Sequence, residues 1–157
     1  MVNIEEIVSN YLERTVNALK DNLTKNDRVA TGKTRDSIKK SVTVNGSKIE
    51  GVITSNKALD VIRTGRKPTG GTPTGTSVWF DQLRDWVKAR GIPEGATYAI
   101  FKKIHEKGWE GTPNIIYDVI DENWIDGLNR EISRAISDEA RNNLSIAIRQ
   151  LNATNNN

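Results

Sequence analysis

From Ile115 to about Leu151 an apolar stripe runs on without interruption: Ile116, Val119, Ile120, Trp124, Leu128, Ile132, Ile136, Leu144, Ile148 and Leu151 recur at helical spacing. Whether this forms one helix or two broken near Gly127, it is longer than the core of a 157-residue chain can absorb. The pattern predicts a long C-terminal helical segment, part of which packs on another chain. Trp124, Leu128, Ile132, Ile136 and Leu144 are the side chains expected at that contact. A chain of this length supports one domain with a real core and appendages. The expected division is an α+β domain over 1–113, a helical extension for inter-subunit packing over 114–151, and a disordered tail over 152–157 with nothing to bury.

Upstream, Ile4, Ile7, Val8, Tyr11, Leu12, Val16 and Leu19 mark an amphipathic N-terminal helix between Asn3 and Leu23, with Glu5, Glu13 and Lys20 on its other side. Thr31 stands where it would cap a short basic helix carrying Ile38. Ser41-Val42-Thr43-Val44 and Ile49-Glu50-Gly51-Val52-Ile53-Thr54 alternate around Asn45-Gly46, the preferred chemistry of a tight hairpin turn. Residues 57–62 fit a strand or a helical turn equally. Gly65, Pro68, Gly70, Gly71, Pro73 and Gly75 make 64–77 a flexible Gly/Thr/Pro loop, long enough that function is its usual reason. Helical spacing resumes from Trp79 to Arg90, ending at Gly91, and again from Ala96 to Lys107, ending at Gly108. The fold class expected is α+β: a small antiparallel β-sheet, formed by the hairpin at about 41–54 plus a further strand, flanked by helices, with an N-terminal amphipathic helix and a long C-terminal helical segment.

Composition removes most chemistry. There is no cysteine, and His105 alone cannot build a zinc site. The first residues, Met1-Val2-Asn3-Ile4-Glu5-Glu6, lack a basic and then apolar leader, and no apolar run approaches a membrane span, so an aqueous compartment and no membrane partner are expected. The net charge of +3 conceals a segregation. Between Lys25 and Lys107 about 17 Lys/Arg stand against about 8 Asp/Glu, roughly +9, while the flanks together carry roughly −6. Such a field suits nucleic acid, an acidic protein surface, or the acidic end of a neighbouring copy.

Gly65-Arg66-Lys67-Pro68-Thr69-Gly70-Gly71 lacks the Gly-x-x-x-x-Gly-Lys-Ser/Thr order of a phosphate loop. His105 beside Glu106 has no nucleophile or second base at a recognisable spacing, and a solvated surface histidine is expected. Asp81 and Asp85, and Asp118, Asp121 and Glu122, sit at helical spacings where charge decorates a solvated face. No enzyme activity, cofactor or metal is expected. Trp79, Trp86 and Trp124 follow apolar periodicity and read as core or interface anchors. Trp109, in the turn Lys107-Gly108-Trp109-Glu110-Gly111, reads as exposed interface material.

The order of these pieces resembles the neck and minor tail proteins of tailed bacteriophages, the head-tail joining or tail-completion proteins. The likeness covers Thr31 to Gly111, roughly half the chain. In that family a leading helix is followed by Thr-Gly-x-x-x-x-Ser-Ile, here Thr31-Gly32-Lys33-Thr34-Arg35-Asp36-Ser37-Ile38, then a hairpin, then Gly-Arg-x-Pro, here Gly65-Arg66-Lys67-Pro68. A Trp-containing helix ending in Gly-Ile follows, here Trp86 to Gly91-Ile92, and then a helix carrying Ala96, Ile100 and Ile104 and closing in Gly108. The chain departs at Thr64, where the family carries an acidic residue, and at Lys57-Ala58, where it carries an aromatic-Ala pair.

The resemblance implies a closed homo-oligomeric ring on the portal-to-tail axis. The loop residues Arg63, Arg66, Lys67 and Pro68, with Trp109 and the terminal helix, would make contacts between subunits or rings. It also implies a virion location after assembly in the host cytoplasm, portal or adaptor and tail proteins as partners, and double-stranded DNA passing weakly and non-specifically. The rival expectation is a small basic DNA-binding or packaging protein, with Lys33, Arg35, Lys39 and Lys40 as phosphate contacts.

Overall fold

The computed structural model describes residues 2–70 and 78–155, with side chains through Leu151. In chain order the elements are α1 (Ile4–Lys25), α2 (Lys33–Ser37), β1 (Lys39–Asn45), β2 (Lys48–Thr54), α3 (Ala58–Thr64), β3 (Gly65–Arg66), α4 (Val78–Ala89), α5 (Thr97–Lys107), β4 (Trp109–Glu110) and α6 (Trp124–Asn155). Short 3-10 turns lie at Glu94–Ala96 and Pro113–Ile115. The fold is α+β, with two small antiparallel two-stranded sheets, β1-β2 and β3-β4. The chain divides into two compact units: Met1–Arg14, Lys40–Val52 and Glu122–Asn157 in one, Thr15–Lys39 and Ile53–Asp121 in the other.

Helix α1 begins where Asn3 Oδ1 accepts the Glu6 backbone N–H at 3.1 Å, with Glu5 and Glu6 at the positive end of the helix dipole. It ends in a paired C-cap: the Asp27 N–H donates to Thr24 O and the Arg28 N–H to Leu23 O. Asp27 takes the left-handed conformation, φ 54°, that this cap demands.

In the first unit the hairpin lies on α1 through a missing side chain. A Cβ at Gly51 would stand 2.6 Å from Leu12 Cδ1 and 3.3 Å from Val8 Cγ1. Beside it Lys40 Nζ donates to Ser9 O (2.9 Å) and Ser9 Oγ (2.6 Å) and lies 3.3 Å from Glu13. The hairpin turns on Gly46-Ser47 and not on Asn45-Gly46: Asn45 is the last residue of β1, and Gly46, at φ 59°, takes the first corner of the turn. Helix α6 runs antiparallel to α1. Tyr11 donates its hydroxyl to Trp124 O at 2.6 Å with the rings 5.2 Å apart, Arg14 grips Glu131, and the Val2 N–H reaches Glu139.

In the second unit Val16, Leu19, Leu23, Ile38, Leu59 and Ile115 form one core, with Ile53, Ile62, Ile116, Val119 and Ile120 packed against it. A second core, Leu83, Val87 and Phe101, lies between α4 and α5. Phe101 is its centre, with Trp79 at 4.5 Å and Phe80 edge-on at 5.2 Å.

Several expectations change. Residues 57–62 settle as helix α3. The further strand does not widen the hairpin, because Gly65–Arg66 pairs with Trp109–Glu110 in a separate sheet. Thr31 caps nothing; Gly32 holds the cap position of α2 in the left-handed region, with no side-chain cap bond. The C-terminal helix starts at Trp124 and not near Ile115, since burial draws Ile115, Ile116, Val119 and Ile120 into the second unit's core through irregular turns. Gly127 does not break it, and the helix passes Leu151 to Asn155. Of the expected loop 64–77, Thr64 ends α3 and 65–66 form β3, while 71–77 lie outside the described residues, as do 156–157 of the expected tail.

Ile115 is 1 % exposed, so Ile115→Ala should lose about 2–5 kcal/mol in urea unfolding. Gly51→Val should lose about 1–3 kcal/mol by forcing the hairpin off Leu12.

Candidate interaction surfaces

The motif Gly65-Arg66-Lys67-Pro68 is held at its root by backbone crossing backbone. Gly65 pairs with Glu110 and Arg66 with Trp109 in antiparallel register. Gly65 sits at φ 76°, and a Cβ there would strike the carbonyl oxygen of Trp109. One at Gly108 would strike Arg66 O, and one at Gly111 would strike Arg63 O and Gly65 N. Two further bonds lock the crossing: Thr69 N–H to His105 O at 3.0 Å and Thr112 N–H to Ile62 O at 2.8 Å.

Side chains then cover the crossing. The Arg66 guanidinium stands 3.9 Å above the Trp79 ring, and Arg28 lies 5.3 Å over Trp109 while its Nε donates to Thr112 Oγ1 at 2.9 Å. Arg63 bonds Asp60 at 2.7 Å. Of the four loop residues expected at an interface, Arg63 and Arg66 are therefore engaged within the chain, and Lys67 and Pro68 are exposed. Trp109 is half-buried and not the exposed tryptophan, because β4 pairing and Arg28 enclose it; Trp86 on α4 is the exposed one. His105 is likewise half-buried and not a solvated histidine: its ring lies 5.7 Å from Phe101, and its Nδ1 is buried without a hydrogen-bond partner.

The basic candidates do not form a free cationic face. Lys33 lies 3.9 Å from Asp85, Arg35 bonds Asp36 at 3.1 Å, and Lys39 is exposed. Lys40 is only 25 % exposed at its side chain and serves the hairpin through Ser9 and Glu13. Among the described residues no group of three or more His, Asp or Glu is placed to hold a metal ion. No described helix is long and apolar enough to cross a membrane.

The terminal helix carries two apolar faces. Trp124, Leu128, Glu131, Ile132, Ala135 and Glu139 are half-buried, on the side that meets Tyr11 and Arg14 of α1 and Val2 ahead of it. Ile136, Leu144, Ile148 and Leu151 are exposed, Leu144 by 62 % and Leu151 by 64 %. At about 100° per residue, this second face lies roughly 150° round the helix from the first. Of the expected interface set, Trp124, Leu128 and Ile132 thus belong to the inner face, and Ile136 and Leu144 to the outer one.

Sequence reasoning missed Arg28, Trp79, Gly108 and Gly111 as partners of the Gly-Arg-x-Pro motif. The signal available was the pair of glycines bracketing Trp109-Glu110, a spacing that lets a second backbone approach. Compared with family models, curated proteins and solved structures, the chain matches none.

Gly65→Ala should cost more than Arg66→Ala in thermal or chemical unfolding. The first obstructs backbone pairing, at about 1–3 kcal/mol, and the second removes one cation–π contact, at about 0.5–1 kcal/mol. The reverse order would mean that the arginine, and not the backbone crossing, holds the loop root.

Proposed function

We propose that this chain is a structural subunit of a closed ring in the head-to-tail connector of a tailed bacteriophage. The ring would join portal or adaptor to tail and surround the DNA channel of the virion, after assembly in the host cytoplasm. The subunit acts by shape, with no catalytic step and no cofactor. The observation that carries this is the far part of α6: Leu144, Ile146, Ile148 and Leu151 stand exposed beyond Glu139, where its described contacts with the N-terminal segment end. Large apolar side chains aligned on one helix face mark a contact with another molecule. The motif order from Thr31-Gly32 through Gly65-Arg66-Lys67-Pro68 to Gly108 directs the choice to a neck or tail-completion ring.

Such a ring forms by closure. One surface of each copy binds a different surface of the next until the rotation completes, leaving a pore. Tight phosphate binding in that pore would hold DNA during ejection, so a subunit of this kind needs its cations occupied elsewhere. The pairs Lys33–Asp85, Arg35–Asp36 and Arg63–Asp60, and the Lys40 anchor, fit that need. The same pairs weigh against a packaging protein that grips duplex DNA.

Negative-stain imaging with light-scattering mass tests the ring. The expected result is a closed annulus with a central hole and a mass that is an integral multiple of 17.5 kDa. A monomer that stays monomeric at high concentration, and that binds duplex DNA with a steep salt dependence, would overturn it in favour of a DNA-binding protein.

A further inference from the structure

Charge in the second unit is paired unevenly. Arg63, Arg84, Arg90 and Lys102 each have a carboxylate within reach, whereas Arg66, Lys67, Lys103 and Lys107 have none among the described residues. Those four belong to one place. Residues 66–69 run along the last turn of α5: Arg66 pairs with Trp109, a Cβ on Gly108 would meet Arg66 O and Pro68 Cδ, and the Thr69 N–H reaches His105 O. Lys103 and Lys107, exposed and one helical turn apart, stand on that same end of α5, and Lys67 is exposed between the two residues that crowd Gly108. Acids are few there: Lys102 holds Glu106 at 3.8 Å, Glu110 is exposed on β4, and the sequence between Lys67 and Asp81 contains none. The carbonyl end of α5, which by itself repels an anion, is occupied, because His105 O accepts the Thr69 N–H and Ile104 O accepts the Gly108 N–H.

The rest of the surface decides which kind of anion fits. A protein partner is anchored by aromatic and apolar side chains at the centre of its interface. Here the two tryptophans at the crossing are half-buried under guanidinium groups, Trp79 under Arg66 at 3.9 Å and Trp109 under Arg28 at 5.3 Å. The cations are left as the recognising groups. Lys103 and Lys107 are separated by about 6 Å along the helix axis, while a duplex presents a charge about every 1.7 Å, so each cation finds a phosphate whatever the register. We propose that the root of the Gly-Arg-x-Pro loop and the end of α5 touch the phosphate backbone of a nucleic acid duplex through Arg66, Lys67, Lys103 and Lys107, without reading its bases. The proposal rests on the ring above for one consequence alone: this side of the subunit faces the channel.

Four contacts make a weak grip. Affinity should fall with a slope of about −3.6 in log–log salt, on the order of a hundredfold between about 50 and 200 mM. A contact of that strength lets a duplex slide past and is consistent with ejection.

The test is fluorescence anisotropy of the full chain with a labelled mixed-sequence duplex, read beside the light-scattering mass. Lys67→Gln with Lys103→Gln and Lys107→Gln should weaken binding at low salt about tenfold or more and flatten the salt slope by about three units, with helicity and mass unchanged. Lys20→Gln with Lys57→Gln and Lys88→Gln removes as many cations without an ion-pair partner among the described residues, and should change the slope by less than about one unit. Polyglutamate, whose charges lie about 3.3 Å apart along an extended chain, should displace the duplex poorly at equal charge concentration. If the Lys67/Lys103/Lys107 variant binds as the parent does, or the parent fails to bind at low salt, this contact is wrong, and a closed annulus still upholds the ring. If polyglutamate displaces the duplex as readily as unlabelled duplex does, the surface takes an acidic protein and the assignment to phosphate is wrong. If the parent is monomeric and loses its binding with these three lysines, the contact stands and the ring falls.

Discussion

Where Gly65–Arg66 crosses Trp109–Glu110, the backbones approach so closely that three glycines are needed to let them pass, and the second unit depends on that crossing. It closes the stretch of chain that carries α4 and α5. Closing so long a segment costs conformational entropy that two residues of pairing cannot offset alone. The deficit is met by contacts gathered at the same point: Thr69 to His105, Thr112 to Ile62, Arg66 over Trp79 and Arg28 over Trp109. Because Trp79 also packs on Phe101, the crossing and the α4-α5 core are held by one ring system.

The first unit is built on a different balance. Among the described residues it buries only Val8 and Leu12 below a tenth of their surface. A helix of 32 residues is attached there by half-buried side chains and by polar contacts such as Arg14–Glu131, an exposed pair of the kind that contributes little. Helices within a protein owe most of their stability to the packing of one face. In α6 the inner face is packed only as far as Glu139, and the outer face is not packed within the described chain. A unit with so small a core gains most from a partner, which is the physical ground for reading α6 as an assembly element.

What the sequence disclosed and what it withheld divide along the range of the interactions. The amphipathic period of α1, the hairpin about Gly46 and the α4 and α5 stripes are encoded within a few residues, and each element formed there, the hairpin turn one residue later than Asn45-Gly46. The start of α6 was obscured because Ile115, Ile116, Val119 and Ile120 continue the apolar spacing of the helix while serving a different core. Their side chains say only that they are buried; Pro113 and the irregular turns decide by what. Trp109 looked exposed because it stands between glycines. Those glycines admit the backbone of β3, and the arginine that covers the ring lies far back in the chain at Arg28. The phase change between the two faces of α6 was present in the spacing, but a single stripe drawn from Trp124 to Leu151 averages over it.

The charge segregation acquires a sharper meaning from the ion pairs. Summed along the sequence, the middle of the chain is strongly basic. In the folded units many of its cations face a nearby acid: Arg90 with Asp27, Arg84 with Asp81, Lys102 with Glu106, Lys48 with Glu50. Exposed pairs add little stability, yet they cancel field at short range, and the Debye length of about 8 Å at physiological salt screens what is left. Arg149 is the contrast, a cation beside apolar side chains with no ion-pair partner among the described residues. Charge that is neutralised locally cannot steer a partner, whereas charge left beside an apolar patch can. Pairing uses up the acids of the middle and leaves its excess of about nine cations in place, so the basic field of that segment stands beside the smaller one at the end of α6.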